Sequence, residues 1–156
     1  MKKNLFNLFA MLSVVMAVLV FANVSNAQPR VARGRVYTKE EVKQIIKNVE
    51  DRVDKFKKEF DKSLDHSVLN GSNREDYLND RAKDLEHATD ELRREFDKHD
   101  LWIENKDEVR KCLNIAQDIN VAMKNRHFGA VTESNWANVR YELNTLAKIY
   151  NLPTIR

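Results

Sequence analysis

Residues 133–153, ESNWANVRYELNTLAKIYNLP, decide how this chain folds. Trp136, Val139, Leu143, Leu146 and Tyr150 recur at steps of three and four, which places them on one face of an α-helix and leaves asparagine and charge on the other. An aromatic stands at each end of the stripe. Such a face is either a ligand-binding seam or one wall of a core. A wall needs partners, and the chain upstream supplies three.

Thr38 followed three residues later by Glu41 is a capping-box pattern, and it opens a stripe of Val42, Ile45 or Ile46, Val49, Val53, Phe56, Phe60 and Leu64. No Gly or Pro interrupts it, and it should stop before the turn dipeptide Asn70-Gly71. Ser72 and Glu75 repeat the cap signal ahead of Leu78, Ala82, Leu85, Ala88, Leu92 and Phe96. Asn105 and Glu108 give a third, ahead of Val109, Cys112, Leu113, Ala116, Ile119 and Met123. The last helix takes Thr132 or Ser134 as its cap and runs to about Tyr150, where Asn151, Leu152 and Pro153 end it.

Four amphipathic helices joined by short connections are expected to be antiparallel neighbours. The fold class is therefore all-α, an up-down-up-down antiparallel four-helix bundle spanning residues 38–152. No strand-like alternation, constant-period repeat or low-complexity segment stands out.

The first 27 residues are set apart from this fold. Lys2 and Lys3 precede an apolar run at positions 8–22 broken only by Ser13, and Val24 and Ala27 put small residues at the positions a signal peptidase reads. Residues 1–27 are expected to be a signal peptide cut between Ala27 and Gln28. An uncleaved anchor is the competing reading, but the run falls short of the 18 or so residues of a spanning helix. With cleavage there is no transmembrane anchor, and the expected location is the periplasm or outside the cell. Residues 28–37, with Arg30, Arg33 and Arg35, form a flexible basic arm that could make weak contact with the envelope surface.

The complete chain has 156 residues, 27 basic and 24 acidic, for a net charge of +3. Losing the leader removes Lys2 and Lys3 and no acid, so the remainder is close to neutral. Its charges are interspersed, which argues against a nucleic-acid partner. The remainder is long enough for one domain with one core. Cys112 is the only cysteine, so no internal disulfide can staple it. Cys112 falls on the third stripe and is expected to be buried, with an intermolecular disulfide as the alternative.

Chemistry-bearing residues give little. The topology separates the histidines: His66 and His127 toward one end, His99 toward the other, His87 midway. Glu95 with His99, and Asp84 with His87, are two-ligand fragments of a kind that acid-rich helices produce by chance. There is no H-E-x-x-H, no di-iron E-x-x-H pair and no C-x-x-C-H. A noncovalent haem on Met123 and a histidine has even less behind it. Nucleophile elbows and glycine-rich phosphate loops are absent too. No catalytic residue, metal ligand or cofactor is assigned.

Interaction candidates remain. Trp102, within Leu101-Trp102-Ile103, lies in a connection and either caps the bundle end or joins a ligand or protein contact. Phe128 poses the same choice at the opposite end. On the last helix the flanking residues Arg140, Tyr141 and Asn144 are the candidates for binding. The segment with Trp136, Asn138, Val139, Arg140, Leu143, Leu146, Ala147 and Tyr150-Asn151 resembles the ends of small exported bacterial helical proteins of unassigned function. The expected function is noncatalytic: protein interaction, or a small binding module of the cell envelope, for an unidentified protein or small ligand. A ligand-binding or metal-binding bundle is the alternative, with an enzyme behind it.

Overall fold

A computed structural model describes residues 30–32, 35–99 and 101–156. The expected leader, residues 1–27, lies outside the described residues, as do the first two residues of the arm. Four long helices dominate: α1 (Lys39–Asp65), α2 (Asn73–Lys98), α3 (Lys106–Asn125) and α4 (Ala130–Ile149). A short 3-10 turn, Trp102–Asn105, precedes α3.

Cross-helix pairs fix the directions. Along α1 and α2, Lys43 meets Asp97, Glu50 meets Arg93 and Lys57 meets Glu86, so residue numbers run oppositely. Ser63 beside Thr132 and Arg52 beside Glu142 do the same for α1 and α4. Glu91 with Lys111 and Arg81 with Asp118 do the same for α2 and α3, and Asn120 meets Trp136 between α3 and α4. Each helix packs on its sequence neighbours, and α1 closes the ring by packing on both α2 and α4. The result is an all-α four-helix bundle consistent with up-down-up-down connectivity.

The core is built from the four stripes. Val42, Ile46, Val49, Val53, Phe56, Phe60 and Leu64 of α1 are all buried, and Ile46 rather than Ile45 takes the inner position. Leu78, Leu85, Leu92 and Phe96 face them from α2, Val109, Cys112 and Ile119 from α3, and Val139, Leu143 and Leu146 from α4. Trp136 and Tyr150 plug this wall toward opposite ends. The Trp136 ring lies 5.0 Å from that of Phe56, and the Tyr150 ring 5.5 Å from that of Trp102. Their polar tips are satisfied within the protein. Trp136 Nε1 donates to Asn120 Oδ1, and the Tyr150 hydroxyl donates to the Trp102 carbonyl at 2.8 Å.

The helix ends follow the sequence in part. Thr38 and Glu41 form a complete capping box. Ser72 accepts from the Glu75 amide, but the Glu75 carboxylate turns back to the amide of Gly71. At α3 the expected cap pair fails: Asn105 is the N-cap residue, yet its side chain makes no cap bond and donates instead toward the Trp102 carbonyl. The preceding 3-10 turn already directs the chain into α3 and leaves that side chain inside. At α4 neither Thr132 nor Ser134 is the cap. The helix begins at Ala130 behind Gly129, whose φ of 88° favours glycine. The Thr132 hydroxyl is used elsewhere, 2.6 Å from Ser63 Oγ and donating to the Glu59 carbonyl of α1.

Two further differences concern the chain ends. Within the expected loose arm, β1 (Arg30–Ala32) pairs antiparallel with β2 (Arg35–Tyr37), with Val31 opposite Val36. Each strand is only three residues long, too short for alternation to show in the sequence. At the other end the packed unit extends beyond residue 152. Asn151, at φ 53°, ends α4 in a Schellman motif, with the Leu152 amide donating to the Ala147 carbonyl and the Asn151 amide to that of Lys148. The turn sends Leu152 to Arg156 back along the bundle, and Ile155 is buried.

Candidate binding site

The α3–α4 face is where polar groups enter the bundle. On α3, Asn120, Met123 and Lys124 share one face at steps of three and four; on α4, Glu133, Trp136 and Arg140 do the same. With Asn125 at the end of α3 and Arg126 and His127 of the connection, they line a cleft of about 310 Å³.

Asn120, only 1% exposed, organises its floor. Its Oδ1 accepts from Trp136 Nε1 at 3.2 Å and from the Arg140 guanidinium at 3.4 Å, and its Nδ2 donates to the backbone oxygen of Arg156. A carboxamide buried here would be costly without partners, and these three bonds offset that cost. One turn toward the C-terminus of α4, Asn144 takes both backbone groups of Ile155. The returning tail thus fills one half of the α3–α4 groove, and the cleft is the half beyond it.

Three cations gather at this cleft. Lys124, Arg126 and Arg140 line or edge it, and none of the three makes an ion pair among the described residues. On α1 and α2, Lys43, Arg52, Lys57, Arg81 and Arg93 each meet a carboxylate, while Lys47, Lys55, Lys58, Arg74 and Arg94 have none among the described residues. The cleft's one acid, Glu133, is engaged by the Phe128 amide at 3.2 Å and the His127 ring at 3.3 Å. Part of its charge therefore serves the N-terminus of α4.

The sequence candidates divide. Arg140 is half-buried in the cleft, and Asn144 is the clamp on the tail. Tyr141 is 70% exposed on the outer side of α4. Trp102 and Phe128 are buried and close opposite ends of the core, Phe128 packing edge-on against Phe60 at 5.0 Å. Neither contributes to an exposed apolar patch. Asn120, Lys124 and Arg126 were not singled out from the sequence. Lys124 and Arg126 are visible there as a basic pair at the end of α3, but the periodicity gives no sign that Arg140 stands beside them.

Two other concave regions are present. Asn48, Asp51, Arg52 and Lys55 of α1 with Asn135 and Asn138 of α4 line a wholly polar cleft of about 340 Å³. At one bundle end His66 and His127 border a wider hollow in front of α4. Among the described residues no group of three His, Cys, Asp or Glu side chains is placed to hold a metal ion. His99 lies 3.0 Å from Glu104 and 3.9 Å from Glu95, while His87 is exposed. Cys112 is fully buried, and the loss of hydration pushes its thiol up to about 12, which makes it a poor nucleophile.

No described helix is long and apolar enough to cross a membrane. Comparison with known proteins finds no matching family model, no matching curated protein and no matching solved structure.

Proposed function

We propose that the chain is an exported, noncatalytic helical protein that acts as a small interaction or binding module in the cell envelope. The binding half of this reading rests on one observation: three cations without carboxylate partners, Lys124, Arg126 and Arg140, converge on the α3–α4 cleft around the buried Asn120. The export half rests on the leader, with Lys2 and Lys3, the apolar run and the small residues Val24 and Ala27. Cleavage there frees a bundle that begins at Thr38, for retention in the periplasm or release. The likeness of the last helix to small exported bacterial proteins points the same way.

Binding of a small polar ligand is the second reading. It is supported by the α1–α4 cleft, where the carboxamides of Asn48, Asn135 and Asn138 offer both donors and acceptors.

Fractionation of the producing cells, with N-terminal sequencing of the recovered protein, tests export. A mature chain beginning at Gln28 in the periplasm or medium is expected, and an intact Met1 in the cytosol would overturn it. Native mass spectrometry of the same material tests binding. A retained protein or ligand is expected, and a bare monomer in repeated preparations would sink any constitutively bound partner.

A further inference from the structure

We propose that the α3–α4 cleft docks an extended acidic peptide segment of a partner protein; this rests on the binding-module reading above and names the partner's chemistry.

The chain's own tail shows what the groove recognises. Asn144 donates to the Ile155 carbonyl at 3.1 Å and accepts its amide at 2.7 Å, so one side chain reads both polar groups of an extended residue. Asn120 takes the next backbone oxygen, that of Arg156. The Ile155 side chain is meanwhile buried. Two carboxamides on facing helices therefore hold main chain regardless of its sequence, while an apolar side chain anchors it. This is peptide recognition carried out in cis.

The unfilled half of the groove begins where this contact stops, because Asn120 belongs to both. From there the lining turns cationic, with Arg140, Lys124 and Arg126. Among the described residues Arg140 hydrogen-bonds only to Asn120 Oδ1, leaving most of its five N–H groups available. A carboxylate positioned over Arg140 would gain a charge-assisted pair in a half-buried setting, where such a pair is stronger than on open surface. Lys124 and Arg126 at the rim would steer an acidic segment toward it. A free phosphate or a lipid headgroup could satisfy the cations too, but neither would continue the extended main chain that the tail already lays along the same groove.

The test is fluorescence anisotropy of a labelled eight-residue peptide alternating Asp or Glu with Leu, titrated with the protein. Its controls are the same peptide with Lys in place of each acid, inorganic phosphate as competitor, and vesicles containing anionic phospholipid. The acidic peptide should bind, the lysine peptide should not, and binding should weaken as salt rises. The surface double variant Lys124→Gln/Arg126→Gln, which touches no core group, should lower affinity at least tenfold, while Lys148→Gln leaves it unchanged.

Equal binding of both peptides, or of the double variant, would overturn the proposal. So would full competition by millimolar phosphate or preferential binding to the vesicles, each of which reassigns the cleft to a simple anion or a membrane. Concentration-dependent self-association lost in the double variant would overturn it in favour of a second copy. If a native partner is recovered from the envelope but its binding survives both substitutions, this inference fails and the binding-module reading stands. If nothing is recovered and no peptide binds, both fail.

Discussion

Asn144 grips Ile155 through both of that residue's backbone polar groups, accepting its amide and donating to its carbonyl. This pair, eleven residues apart, is what turns the last residues from a free end into part of the fold.

Asn144→Ala removes both bonds and strands the Ile155 amide in a partly buried position, which should cost about 1–3 kcal/mol. Ile155→Ala should cost about 2 kcal/mol through lost burial. Amide hydrogen exchange checks the first directly: protection at Ile155 should fall sharply while that of the α1 core amides follows only the global change.

The Arg52–Glu142 pair predicts an asymmetry. The Glu142 side chain is nearly buried, at 8% exposure, whereas that of Arg52 is 37% exposed and can rehydrate. Arg52→Met should therefore destabilise by about 2–3 kcal/mol, because it leaves a buried charge unpaired, while Glu142→Gln should cost about 1 kcal/mol. Urea unfolding of both variants at neutral pH measures the difference. Equal losses would mean that solvent reaches Glu142 freely.

Phe56 and Leu143 are fully buried on the facing stripes of α1 and α4. Replacing either with Ala should lower stability by about 2–5 kcal/mol, combining lost transfer free energy with the cavity left behind. Thermal unfolding gives the check, and a loss below about 0.5 kcal/mol at both sites would contradict the packing of this interface.

Cys112 makes stability fall at alkaline pH. Burial raises its thiol from 9.0 to about 12, so between those values the unfolded chain releases a proton that the folded one keeps. Fewer protons bound in the unfolded state means that stability drops as pH rises. The contribution is intact below about pH 9 and is lost progressively toward pH 12. Unfolding free energies of the native protein and of Cys112→Ala, measured from pH 8 upward, should converge as pH rises. A thiol reagent should label the native protein only at the rate of unfolding.

What the sequence made legible was the apolar half of the architecture. Val42 to Leu64 on α1 and Trp136 to Tyr150 on α4 follow helical spacing closely, so periodicity alone placed nearly all of them inside. Polar residues that go inside were not legible. Asn120 and Glu142 flank their stripes as solvent-facing positions would, and Thr132 reads as a helix cap, because the groups that satisfy them come from distant parts of the chain: Trp136 and Arg156, Arg52, and Ser63. The cleft was half visible for the same reason. Arg140 stood out as a flank of the last helix, but its position beside Lys124 follows from how α3 and α4 are brought together. Asn144 was noticed as a binding candidate, and the structure gives that capacity a target in Ile155 of the same chain.

The closure of α1 against α4 has a consequence for the order of assembly. Phe56 meets Trp136 and Phe60 meets Phe128, so these aromatic contacts join α1 to parts of the chain that are synthesised much later. The α1–α2 hairpin can form from local contacts as soon as both helices exist, but it leaves Phe56 and Phe60 facing water until α4 docks. A nascent or truncated chain lacking α4 therefore keeps that aromatic surface exposed, and the complete bundle buries it in one late step.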